Sequence, residues 1–445
     1  MKYAIVLPDG AADDPLPELG GKTPLEAAHI PNMDWVAANG RLGRIVTIPE
    51  GFTPGTDVGT LSVLGYDPHV YYSGRAPIEA AAKGLSARPD QMIFRCNFVT
   101  ILDGLMKDNT GGHIRQEETD RLIADLNAAL GSEGCEFHAG VTYRNLMLLA
   151  DAADLALRCA PPHDIIDQPV AAHQPQGDGA ERIARIQERA RALLAGHEIN
   201  RARRREGRPL VTDIWLWGQG RPVRFEPFAE RFAQPGARGT RGARGPRGVI
   251  ITGVDILRGF ARLMGMRIIE VPGATGYIDT NYAGKGEAAV AALDEVDLII
   301  VHVEAADEAA HMGKPALKVE ALERIDELVV GPLLRRLQGE GVGGREPVGG
   351  REQVGGRQAR EAGAGGTRGT AAVGARGEWR MLVAVDHPTP CTTRGHSAVP
   401  PLFAYAGAGV SGGYGEAGRF TEKAAASAGL MIDEGHRLMG EFLKR

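Results

Sequence analysis

The chain has 445 residues, 43% of them hydrophobic, and a formal net charge of −5. That length supports a large core and more than one domain, and the mild acidity excludes a general attraction to nucleic acid or membrane surfaces. The four cysteines (Cys96, Cys135, Cys159, Cys391) form no CxxC pair, as expected of a reduced, cytoplasmic protein, and no apolar run approaches the ~20 residues of a membrane span.

In chain order, residues 3–7 read as a strand that ends in a loop carrying Asp9. Pro8 and Asp9 cut this run too early for a signal peptide. Thr23-Pro24 is a good helix start, with a hydroxyl cap and proline at the first helical position. Residues 44–48 read as a second strand, and Thr53-Pro54-Gly55-Thr56-Asp57 as a glycine turn that delivers Thr56 to a helix N-terminus. Between about 88 and 205 the alternation is interrupted: strands at 92–101 and 144–149 flank a helix at 116–130, and a charged helix covers 179–205. From about 210 the α/β pattern resumes, with strands at 212–217, 267–271, 297–303, 380–385 and 401–406 and helices at 253–264, 316–337 and 427–443. The expected fold is therefore α/β, with a core of 1–87 and 208–445 and an inserted α+β cap at 88–207. Two Gly/Arg-rich tracts, 233–247 and 339–378, cannot bury a core and read as loops. Such tracts can bind RNA, but a passive surface insertion is the favoured reading and nucleic acid is not an expected partner.

The ligand-type residues cluster after apolar runs. Asp9 follows 3–7, Asp307 and His311 follow 298–303, Asp386 and His387 follow 381–385, and His396 lies a few residues on. Ligands of open α/β sheets bind at the carboxyl ends of strands. Each residue also has a plain explanation. Pro-Asp-Gly is a common turn, His302 reads as a core histidine, and an i,i+4 Asp/His pair shares a helix face without any ion. Together they favour a two-metal site. Mixed carboxylate and imidazole without thiolate suits Mn²⁺, Zn²⁺ or Mg²⁺. Thr56 is the candidate nucleophile, a hydroxyl that needs activation, although the same position suits a helix cap.

These stretches resemble a known family. Leu7–Gly10, Lys22–Ala28, Pro54–Val58, Leu64–Pro68, Gly74–Ala80, Phe94–Asn97, Pro161–Asp164, Trp215–Gly220, Gly273–Tyr277, His302–Asp307 and Asp386–Pro390 look like the cofactor-independent (2,3-bisphosphoglycerate-independent) phosphoglycerate mutases of the archaeal type, in the alkaline phosphatase superfamily. The resemblance covers nearly the whole chain outside the two tracts. It implies an alkaline-phosphatase-like core sheet sandwiched by helices, with an inserted cap. It implies two divalent ions, Mn²⁺ foremost with Mg²⁺, Co²⁺ or Zn²⁺ as substitutes, and no bisphosphoglycerate cofactor. One ion falls to Asp9, Thr56, Asp386 and His387, the other to Asp307, His311 and His396. It implies phosphoryl transfer between 3- and 2-phosphoglycerate, in glycolysis or gluconeogenesis, through a phosphoenzyme on Thr56, where the family usually has Ser. Arg75, Arg95, Asn97, His113 and His163 would contact substrate, although each arginine reads equally well as a salt-bridge partner. A phosphohydrolase, or a phosphotransferase such as a homoserine-kinase-like enzyme, could use the same metal site. A homo-oligomer is compatible with the sequence.

Overall fold

A computed structural model describes residues 1–233, 245–339, 378–412 and 418–444. Most of the two Gly/Arg-rich tracts, 234–244 and 340–377, lies outside the described residues.

The larger sheet has eight strands in the order Arg267–Ile268, Gly248–Ile251, Leu298–Val303, Lys2–Pro8, Trp379–Ala384, Leu402–Gly407, Gly40–Ile45 and Met431–Ile432. All neighbours pair in parallel except Leu402–Gly407, which is antiparallel to both of its partners. The central strands are apolar throughout because both faces are covered. Along Lys2–Pro8, Ala4 and Val6 join one core while Tyr3, Ile5 and Leu7 join the other. The first face is closed by helices including Pro31–Ala38, Tyr282–Ala292, Pro315–Ile325 and Gly331–Gln338. The second is closed by Thr56–Val63, Asp255–Leu263 and Leu438–Leu443. Thr23 starts its helix as expected: its hydroxyl accepts from the Glu26 N–H, and the Glu26 carboxylate accepts from the Thr23 N–H.

A second, five-stranded antiparallel sheet is built around the long strand Met92–Leu102. It pairs with Leu105–Asp108, with Arg144–Leu149 and with Asp213–Gly220, and Cys135–Val141 extends the far edge. Helices Gln116–Leu130 and Ala180–Ala195 cover one face. Here the sequence reading needs correction. The strand at 212–217 was assigned to the main core, with a boundary at 207/208, but Asp213–Gly220 pairs with Met92–Leu102. An apolar run shows that a strand exists, not which sheet completes its hydrogen bonds.

The helix expected at 179–205 is two, Ala180–Ala195 and Glu198–Arg205, and the His197 ring caps the second by accepting from the Ile199 N–H. The helix expected at 427–443 is also broken. Gly429 takes a left-handed φ of 70° and ends the helix Glu422–Ser427, and the chain re-forms a helix only at Leu438–Leu443. Strand Gly248–Ile251 was not anticipated. Among the described residues, no helix is long and apolar enough to cross a membrane, and all four cysteines are free.

Ile300 is fully buried in the centre of the large sheet. Ile300→Ala removes packed atoms from a site that cannot collapse, so the folded state should lose about 2–5 kcal/mol, read as a lower denaturant midpoint with an unchanged slope.

Candidate metal and phosphoryl-transfer site

Three neighbouring parallel strands bring the chemistry together. The register pairs Leu7 with His302, Pro8 with Val303 and Val6 with Val383. The residues that follow, Asp9, Glu304 and Asp386, therefore emerge at one end of the sheet, as open α/β sheets require. Gly10, at φ 60°, lets the chain turn there, and a Cβ on it would lie 2.5 Å from Asp307 Oδ1.

The helix Thr56–Val63 enters from the second face, with Gly55 as its cap residue and no side chain capping it. The Thr56 hydroxyl is thus not a cap. It donates to Asp9 Oδ2 at 3.1 Å and lies 3.3 Å from His387 Nε2. The approach is close because Gly59 has no side chain: a Cβ there would stand 2.5 Å from the Asp386 carbonyl oxygen.

The hydrogen bonds assign the histidine tautomers. Thr389 has one hydroxyl proton and donates it to Asp307 Oδ1 at 2.5 Å. It must therefore accept from His387 Nδ1, 3.2 Å away. His387 Nε2 is then bare. It faces Asp9 Oδ1 at 3.3 Å and Asp386 Oδ2 at 3.5 Å. Asp9 Oδ1 itself is buried without a hydrogen-bond partner. His311 and His396 repeat the pattern. Their Nδ1 atoms meet the carbonyls of Arg394 and Pro54 at 2.9 and 3.2 Å. Their Nε2 atoms lie 3.0 Å apart, beside Asp307 at 3.0 and 3.7 Å. Nitrogen lone pairs aimed at each other and at carboxylates call for a cation between them, and a carbonyl or hydroxyl on the other ring nitrogen is the usual partner of a metal-binding histidine.

Among the described residues, candidate ligand atoms gather within 4.8 Å in three overlapping groups: Asp307, His311 and His396; Asp9, Asp307 and His387; Asp9, His302 and Glu304. The electrostatics agree with crowded negative charge. Burial first, then Asp386, Asp307 and Glu304, raises the Asp9 pKa well above normal. Burial also opposes ionisation of Asp307, but hydrogen bonds from His311 and His396 hold its pKa well below normal. Where no cation stands between them a proton takes its place, and the hydrogen bond to Asp307 lifts His311 to about 9. Burial, followed by Asp307, lifts Glu304 to about 8.

Two contributors escaped the sequence reading. His302, taken for a core histidine, sits in the buried strand but places Nε2 2.9 Å from Asp9 Oδ2, with Thr252 Oγ1 3.4 Å from its other nitrogen. Burial lowers its pKa to about 3, so it is neutral and orients Asp9. Its signal was a polar residue inside an otherwise apolar run. Thr389, the second, carried no such signal.

A cleft of about 850 Å³ opens beside this centre, lined by residues that include Gly55, Asp57, Tyr72, Arg75, His163, Trp217 and His396. Arg75 and His163 therefore stand where substrate contacts were expected. Arg95 and Asn97 do not line the cleft. Both are buried, Arg95 stacked 4.1 Å from the Trp217 ring and Asn97 accepting from the Trp217 indole N–H. His113 is exposed on a turn of the second sheet, its N–H bonded to Thr110, and does not line the cleft.

Comparison with known proteins is decisive at this point. A family model described as 2,3-bisphosphoglycerate-independent phosphoglycerate mutase matches residues 37–200. A protein of that name from Methanothrix thermoacetophila is 42% identical over 439 residues, covering 99% of this chain and 98% of its own. The chain belongs to the 2,3-bisphosphoglycerate-independent phosphoglycerate mutase family. A probable mutase of the same name from Geobacter sulfurreducens is 38% identical over 449 residues, with both chains fully covered. A solved protein from Pyrococcus horikoshii shares the fold at a TM-score of 0.73 and 27% identity, covering 99% of this chain and 96% of its own. A cofactor-independent phosphoglycerate mutase from Thermoplasma acidophilum shares it at 0.62 and 24% identity, covering 100% and 99%. The recognition made from the sequence, and the α/β fold it implied, therefore hold.

His302 meets the candidate ligand Asp9 directly, Nε2 to Oδ2 at 2.9 Å. His302→Leu removes the partner that orients Asp9, and metal affinity should fall about 10–100-fold. Calorimetric Mn²⁺ titration reads this, and an unchanged affinity would show that Asp9 needs no such support.

Proposed function

We propose that the chain interconverts 3-phosphoglycerate and 2-phosphoglycerate through a phosphothreonine on Thr56, without bisphosphoglycerate. The observation that carries this reading is the Thr56 hydroxyl. It stands at a helix N-terminus, 3.1 Å from Asp9 and 3.3 Å from His387, instead of capping the helix. The donor set fits two divalent ions. Asp9, Thr56, Asp386 and His387 would hold one, and Asp307, His311 and His396 the other. Mn²⁺ is the first candidate, because hard oxygens and imidazoles without thiolate suit it. When bound, such ions supply Lewis-acid charge that lowers a hydroxyl pKa and offsets phosphate charge.

The chain's own residues do the rest. Asp9 accepts the Thr56 hydroxyl proton in the resting hydrogen bond and aligns the oxygen. As the oxygen attacks phosphorus its proton passes to Asp9, the bond from phosphorus to the glycerate 3-oxygen breaks, that oxygen takes up a proton to become a hydroxyl, and the phosphoryl group rests on Thr56. The backbone N–H groups that open the helix Thr56–Val63 face the phosphoryl oxygens. Glycerate then turns within the cleft, its 2-hydroxyl attacks and gives up its proton, the Thr56–phosphorus bond breaks, and the Thr56 oxygen takes a proton back. Residues from about 88 to 220 act as the cap that keeps water out, since water entering at this stage would release phosphate. The reading places the enzyme in the cytoplasm.

Two experiments test it. Purified protein with Mn²⁺ and 3-phosphoglycerate, followed through enolase coupling with free phosphate measured in parallel, should isomerise with little phosphate release. Phosphate release without isomerisation would transfer the assignment to a hydrolase. Thr56→Ala should abolish both acid-stable phosphoprotein and turnover, while Thr56→Ser should keep them; full activity in Thr56→Ala would sink the mechanism. Chelation should silence the enzyme, and ranking Mn²⁺, Co²⁺, Mg²⁺ and Zn²⁺ by recovered rate identifies the metal.

A further inference from the structure

Behind Arg75 of the cleft lining lies one carboxylate shared by two arginines from different parts of the chain. Glu79 lies on the helix Arg75–Ala82, which packs on both the helix Asp255–Leu263 and the small sheet. Its Oε1 accepts from Arg75 Nε at 3.1 Å, and its Oε2 forms an ion pair with Arg95 Nε at 3.0 Å. Arg95 comes from Met92–Leu102, the strand around which the second sheet is built. Trp217 fixes its guanidinium from one side, 4.1 Å from ring centroid to Arg95 Cζ. The Arg95 side chain is only 9% exposed and that of Arg75 is 45% exposed, so Arg75 is the member that presents itself to the cleft.

Both arginines reach Glu79 through Nε. Among the described residues, no hydrogen bond engages the terminal nitrogens of either one. An arginine held in this way offers its pair of terminal amines as a ready fork for one carboxylate. Glu79 offsets one of the two guanidiniums and Asp57 also acts on Arg75, so the excess positive charge is small and matches a monoanion better than a dianionic phosphate. A ligand that finds the fork already held loses less side-chain freedom on binding.

We propose that Glu79 is a positioning residue for substrate: it yokes Arg75 to Arg95 and so holds the Arg75 fork toward the carboxylate end of a phosphorylated hydroxy acid whose phosphate lies at Thr56. The proposal rests on the phosphoglycerate reading above. Because the yoke joins the cleft to the small sheet, it also ties substrate grip to the seating of the cap.

The test uses the full-length Mn²⁺-loaded enzyme and two calorimetric ligands, 3-phosphoglycerate and inorganic phosphate. Glu79→Gln keeps the shape but turns a donor toward one arginine. It should weaken 3-phosphoglycerate at least tenfold, change phosphate less than twofold, and raise KM more than it lowers kcat. Arg75→Ala should give the same split, and adding Glu79→Gln to it should cost no more than a further twofold. Arg95→Met, which frees the far end of the yoke at a residue that does not itself line the cleft, should repeat the split in a second variant. Equal loss of both ligands, no loss of either, or full additivity of Glu79→Gln and Arg75→Ala overturns the proposal. If the unmodified enzyme binds phosphate but not 3-phosphoglycerate, the phosphoglycerate reading fails first, and that failure shows before any variant is made.

Discussion

Repulsion among buried carboxylates is the constraint on which the site depends. Asp9, Asp307 and Asp386 are nearly or fully buried at one end of three adjacent strands. Ligand atoms of Asp9 and Asp307 lie within 4.8 Å. At that separation two like charges repel by roughly 3–4 kcal/mol even at an effective dielectric near 20. The protein lowers some of this cost by raising the Asp9 pKa. It also turns bare histidine nitrogens inward, where they can share only a cation or a proton. Neutral hydrogen bonding cannot satisfy such an arrangement, because acceptors outnumber protons. Such an excess of acceptors suits a divalent ion, and on the proposed function an ion held there would make a threonine hydroxyl usable as a nucleophile.

Closeness of backbone is the second requirement. The helix carrying Thr56 touches the loop carrying Asp386, and Gly59 permits that contact. On the other side, Lys318 joins the two loops that bear ligands. Its fully buried ammonium donates to Asp13 Oδ2, to the Ala12 carbonyl and to the Thr389 carbonyl. Thr389 then passes this fixed position on to Asp307 and His387. One buried cation thus ties the segment after Asp9 to the segment after Asp386.

Much of this was legible in the sequence because each ligand ends an apolar run. Strands at 3–7, 297–303 and 380–385 are unambiguous, and a polar residue just past a buried parallel strand has few places to go other than the sheet end. Partner choice was not legible. Asp213–Gly220 reads as a strand of the core yet pairs with Met92–Leu102, because hydrogen-bond partners are a long-range property. Direction of side chains was not legible either. His302 and Asn97 both point inward from strands, but one reaches Asp9 and the other fixes Trp217. The resemblance of Phe94–Asn97 to the family makes Arg95 an expected substrate contact, with a salt bridge as the equal alternative, and the structure buries it against Trp217 and pairs it with Glu79.

The buried charges outside the metal centre follow one logic. A buried ion pair is weak evidence for stability, since desolvation can exceed the attraction gained. Apolar residues replacing both partners of such a pair often cost folding no more. Apolar residues, however, could not specify direction. Lys318 fixes where two loops stand relative to each other, and Glu79 fixes which way an arginine opens. Phosphoryl transfer demands such fixed directions, because an attacking oxygen misplaced by about 1 Å can cost ~10²-fold in rate. The charged contacts that add least to stability are therefore the ones that set the geometry of the reaction.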